Sequence, residues 1–117
     1  MIIKTRFTPI RMIVGQKDPV TLDVVLKNNS TEEVLSTVIV KLPSGLGFDL
    51  SGITREKRQR IDYVKPNEDK TVSFRIYPRH NVEEGQYPVT VSILTHPGRY
   101  DKTDSTKQQE AILRVLK

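Results

Sequence analysis

Val20-Thr-Leu-Asp-Val-Val-Leu-Lys27 alternates apolar and polar side chains almost without a break, then runs into Asn28-Asn-Ser30. An extended chain turns successive side chains to opposite faces. This spacing therefore puts Val20, Leu22, Val24 and Leu26 on a dry face and Thr21, Asp23 and Lys27 toward water. The pattern recurs along the chain. Val38-Ile-Val-Lys-Leu42 stops at Pro43-Ser-Gly45, Thr71-Val-Ser-Phe-Arg-Ile76 at Tyr77-Pro78, and Tyr87-Pro-Val-Thr-Val-Ser-Ile-Leu94 at His96-Pro-Gly98. Strands with one buried and one wet face, each ended by turn residues, are what antiparallel sheets packed on one another require.

Working outward, the pattern predicts seven strands. They are residues 2–7 continuing past Pro9 into 10–14, then 20–27, 35–42, 55–64, 70–77, 86–95 and 108–116. Pro9 has no N–H to give a central ladder, which suits an edge strand that changes sheets. Residues 43–54 hold Gly45, Gly47 and Gly52 and read as a loop, with Phe48 and Leu50 tucked beneath it. Residues 105–117 contain helix formers, but a sandwich needs a last strand beside the sixth and no other segment supplies one. The expected fold is all-β, a seven-stranded immunoglobulin-like Greek-key β-sandwich, with residues 1–117 as a single domain.

A chain of 117 residues can bury a self-sufficient core. It has no cysteine, which excludes disulfides, a thiolate nucleophile and thiolate metal ligands. No run approaches the roughly 18 apolar residues of a membrane span. Met1-Ile-Ile-Lys4 enters a strand pattern at once and leaves no room for a signal peptide, so a cytoplasmic location is expected. An extracellular one is the alternative if the chain is a domain cut from an exported protein. The net charge of +5, from 19 Lys and Arg against 14 Asp and Glu, favours anionic partners and solubility without bearing on fold.

Adjacent pieces also carry a resemblance: the turn after Lys27, "VIVKLPSGLGF" from Val38, "VKPNEDKTVSFRI" from Val64 and "EGQYPVTVSIL" from Glu84. Together they resemble the immunoglobulin-like domains of bacterial and archaeal surface proteins and glycosidases, of the cell-adhesion-related and α-galactosidase-associated types. They are also similar to the C-terminal sandwich domains of transglutaminases. The likeness covers nearly the whole chain and implies a strand-and-turn framework without an active site. Tyr87, just after Gly85 and in phase with Val89 and Val91, looks like a tyrosine corner, with its hydroxyl tied to the backbone of the 78–85 loop. The absence of a cysteine pair and of tryptophan excludes the antibody type.

Chemistry is sparse. His80 and His96 are the two histidines and fall near opposite ends of the sixth strand, and no nucleophile elbow, P-loop or dinucleotide fingerprint occurs. The expectation is that the protein is not an enzyme and uses no cofactor. Asp101-Lys-Thr-Asp104 lacks the glycine and terminal glutamate of a calcium loop and reads as a solvated hairpin tip. Glu32–Glu33 and Glu83–Glu84 read as ordinary loop acids. Asn28-Asn-Ser30 and Asn29-Ser-Thr31 fit the glycosylation acceptor pattern, but asparagine there already has a turn to form.

Three surfaces remain as candidates. If Val38, Val40, Val89, Val91 and Ile93 face the core, then Ile39, Leu94, Ile112 and Leu116 share an outer sheet face, a candidate interface to another protein or to a second copy as a homodimer. Arg55, Lys57, Arg58 and Arg60 form a basic run expected to lie before the apolar part of its strand. It could contact nucleic acid or another polyanion, or simply guard a sheet edge. The loops at 28–33, 65–69 and 97–106 gather at one end as a second recognition surface. The expected function is a non-catalytic protein–protein interaction or assembly module. Polyanion binding through residues 55–60 and a carbohydrate-associated accessory role are the alternatives.

Overall fold

The computed structural model describes residues 1–49 and 54–117. Its strands are β1 (Ile2–Thr8), β2 (Arg11–Ile13), β3 (Val20–Lys27), β4 (Val34–Lys41), β5 (Leu46–Gly47), β6 (Glu56–Val64), β7 (Asp69–Pro78), β8 (Gly85–His96) and β9 (Ser105–Leu116). One sheet has the order β1-β3-β7-β5 and the other β2-β9-β8-β4-β6. Burial alternates residue by residue along β3, and Leu22, Val24 and Leu26 are fully enclosed. They belong to one core with Phe74 and Ile76 of β7, Val38 and Val40 of β4, Val89, Val91 and Ile93 of β8, and Leu113 and Val115 of β9. Each such side chain contributes on the order of 1.5–3 kcal/mol by leaving water, so the period-two pattern is what closes the two sheets on each other.

The described residues form nine strands, not seven, for two physical reasons. The interrupted first strand splits. Residues before Pro9 pair antiparallel with β3, and those after it cross to the other sheet and run parallel to β9. The loop after β4 also adds a two-residue strand, β5, where Leu46 and Gly47 pair with Pro78 and Tyr77. Phe48 is buried with its ring tilted against Phe74, centroids 6.2 Å apart. The expectation for Leu50 and Gly52 lies outside the described residues. The segment 105–116 is a strand, paired along its length with β8.

β6 departs from regular pairing in a way that matters below. Arg60 stands opposite Thr37 but Asp62 stands opposite Ser36, which leaves Ile61 as an extra residue, a β-bulge. The bulge lets Ile61 join the core and holds Asp62 at φ 70°. Its N–H, turned off the ladder, donates to the Tyr100 hydroxyl at 3.0 Å.

Candidate functional site

The loop end of the sandwich is the most built surface. β3 ends at Asn28, whose side chain is 1% exposed. Its Nδ2 donates to Glu32 O at 2.7 Å and Val64 O at 2.8 Å, while Oδ1 accepts from Ser30 N at 2.9 Å and Ser30 Oγ at 2.6 Å. The backbone N of Asn28 donates to Glu68 O, and Asn28 O accepts from Asn67 N. The side chain and backbone of one residue thus tie the 28–33 turn to the 65–69 turn. A buried side chain cannot carry a glycan, so only the exposed Asn29 keeps the acceptor geometry.

The 97–104 loop folds back over the same end. His96 Nδ1 meets Lys102 O at 2.6 Å; a carbonyl only accepts, so Nδ1 donates there, and Nε2 shares a hydrogen bond of 2.8 Å with Thr37 Oγ1. Tyr100 lies edge-on to His96 at 5.2 Å, with the Arg60 guanidinium 4.5 Å from its own ring centre. Together these loops frame an open cleft of about 450 Å³ lined by Glu32, Glu33, Tyr63, His96 and Asp104 among others. Among the described residues no group of three or more His, Asp or Glu is placed to hold a metal ion.

The outer face of the β9-β8-β4-β6 sheet differs from the expected apolar patch. Ile39 has the anticipated outward phase, opposite Ser92 on β8 and Arg58 on β6, yet it is only 6% exposed. Leu94 and Leu116 are half-buried, and Ile112 is 45% exposed. The four are not contiguous. Leu94 sits opposite Thr37 and Thr106, Ile112 sits opposite Pro88 six residues back along β8, and Leu116 pairs with Ile13 of β2. At about 3.3 Å per residue, Leu94 and Ile112 are roughly 20 Å apart along the strand. Side-chain phase was readable, but register set the distances.

The basic run is likewise divided. Its residues are exposed and lie before Ile61, the first buried residue of the strand, as expected, and within Glu56–Val64 adjacent side chains point to opposite faces. Arg58 and Arg60 share one face, and Arg60 is engaged with Tyr100. Lys57 points the other way, its Nζ 5.5 Å from the Phe48 ring centre. Lys41 pairs with Glu56 at 3.7 Å on this exposed edge. Charges and a bulge on an edge strand are features that discourage further strand pairing.

Tyr87 is half-buried, and its hydroxyl donates to Glu83 O at 2.8 Å and accepts from Glu83 N at 3.0 Å. Tyr87→Phe is expected to lower stability by about 0.5–1.5 kcal/mol, measured by urea unfolding. An unchanged midpoint would show that these bonds only replace equivalent ones to water. His80 lies in the β7–β8 loop and His96 at the far end of β8, so the two do not share a site. Sequence reading passed over two residues: Tyr100, in what looked like a solvated tip, and Arg79, beside a turn proline. A buried contact made across the fold leaves no local signal in the chain.

The chain matches no family model and no curated protein. Solved structures do share its fold. Self-complemented MyfA, the major subunit of Myf fimbriae from Yersinia enterocolitica, is similar over 100% of both chains, at 12% identity and a TM-score of 0.59. A domain assigned to a cell-surface protein of Methanosarcina acetivorans is similar at 16% identity and a TM-score of 0.52, over 99% of this chain and 94% of that one. AvmM, which catalyses macrocyclization in alchivemycin A biosynthesis, is similar at 10% identity and a TM-score of 0.51, over 99% of this chain and 88% of that one. At these identities the likeness is one of fold.

Proposed function

We propose that residues 1–117 form one immunoglobulin-like Greek-key domain that acts by association and not by catalysis, with copies joining head to tail. The strand orders support the Greek-key reading, since β9-β8-β4 and β1-β3-β7 interleave two sheets as that topology does. The observation that carries the function is a separation of charge along the strands. At the loop end, segments 27–34, 62–70 and 97–104 hold seven Asp and Glu against five Lys and Arg. At the other end, segments 11–20, 41–49, 54–58, 75–86 and 114–117 hold ten Lys and Arg against five Asp and Glu. An acidic end and a basic end on one rigid body attract each other between copies, and such a contact, being heterologous, continues into an open chain.

The similar fimbrial subunit and cell-surface domain support an assembly role at a cell surface, the alternative to the cytoplasmic location expected from the opening residues. Sedimentation velocity tests the reading. Species larger than monomer are expected at about 10 mM salt, where charges act over roughly 30 Å, and monomer at about 1 M, where they act over roughly 3 Å. Glu32→Lys with Glu33→Lys, both exposed, should abolish the low-salt species while leaving the fold intact. A wild type that stays monomeric at low salt and high concentration, or a charge reversal without effect, would overturn it. The basic end also favours a second reading, polyanion binding. Salt-sensitive retention on heparin by a protein that never self-associates would select it.

A further inference from the structure

At the basic end, opposite the loop cleft, lies an open cleft of about 370 Å³ between the β2–β3 turn and the β7–β8 loop. Val14, Pro78 and Val82 give it an apolar floor, and Lys17, Arg79 and His80 line it with no carboxylate among the lining residues. The loop that carries Arg79 is held in place, because Arg79 N donates to Gly45 O at 2.9 Å and Val82 N donates to Arg79 O at 3.0 Å. Arg79 Nε is shut off from solvent and has no hydrogen-bond acceptor among the described residues. The side chain as a whole is only half-buried, so its outer guanidinium N–H groups are the ones that can face the cleft it lines, and a carboxylate suits that fork of donors best.

The geometry points to this cleft as a binding site for a small amphipathic carboxylate. Its head group sits on Arg79 with Lys17 and His80 beside it, and its hydrocarbon body lies on Val14, Pro78 and Val82. Size agrees, since small-molecule sites start near about 300 Å³. An apolar floor beside a guanidinium suits a monoanion with a hydrocarbon tail better than a free phosphate, whose several oxygens would each need a donor. The inference stands apart from head-to-tail association.

Chemical shifts of the ¹⁵N-labelled protein titrated with hexanoate test it. The amides of residues 14–17 and 79–82 should shift saturably with a dissociation constant in the millimolar range, about what so few atoms sustain. Acetate supplies the charge without the tail, hexan-1-ol the tail without the charge, and inorganic phosphate the other anion. Each should be at least about tenfold weaker. Arg79→Gln should weaken hexanoate about ten- to hundredfold, the loss expected for a charge-assisted bond. Should that variant not fold, Arg79→Lys reads the same point, keeping the charge and losing the guanidinium fork. No saturable shift with hexanoate, equal binding of hexan-1-ol or phosphate, or unchanged binding by the Arg79 variant would overturn the site.

Discussion

Replacing Gly45 with alanine is expected to lower the unfolding midpoint by on the order of 10 °C. Gly45 ends the Pro43-Ser-Gly45 turn at φ 98°, a region that costs an L-residue about 1–2 kcal/mol. A Cβ built there would stand 2.9 Å from Tyr87 Cε2, closer than real contacts allow. Tyr87 cannot retreat freely, because its hydroxyl is bonded to both the N and the O of Glu83. Overpacking of this kind adds about 1–3 kcal/mol, so the total is about 2–4 kcal/mol. A double-mutant cycle separates the two parts. In a Tyr87→Ala background the clash vanishes and only the backbone strain should remain. An equal cost in both backgrounds would mean that the turn, and not the tyrosine, limits position 45.

The second large effect is expected at Asn28. Asn28→Ala strips the donors from Glu32 O and Val64 O and the acceptor from Ser30 N. Buried groups left without partners cost about 1–3 kcal/mol each, and because the Glu32 side is only partly enclosed the sum should be about 2–4 kcal/mol. Asn28→Asp has nearly the same shape but turns a carboxylate oxygen toward two carbonyls. At neutral pH it should therefore be less stable than the alanine variant. Urea unfolding of the three proteins gives the order directly, and an aspartate variant as stable as wild type would deny the Nδ2 bonds any weight. Since Asn28 joins two of the acidic turns, Asn28→Ala should also weaken association at low salt. This readout would not move if the loop end took no part in assembly.

How much of this was legible in the chain can be judged residue by residue. Leu22, Val24 and Leu26 announced their side of the sheet by spacing alone, because side-chain direction in a strand is a property of position parity. Pro9 announced a change of sheet because it lacks an N–H. The strand count was less accessible. A two-residue strand such as β5 exists only because Pro78 and Tyr77 happen to lie alongside it. Parity already divides Lys57 from Arg58 and Arg60, but what meets them, Phe48 at Lys57 and Tyr100 at Arg60, depended on the fold.

Composition and alternation by themselves determined an all-β chain with two packed sheets, its core residues and most of its turns, because these depend on local period and turn chemistry. Tertiary structure alone decided the rest. It enclosed Ile39, separated Leu94 from Ile112, folded Tyr100 onto His96 and left Arg79 Nε without an acceptor among the described residues. Each of these depends on which distant segments are brought together, and register and loop path carry that information. A period of two fixes which way a side chain points; it says nothing of what meets it there.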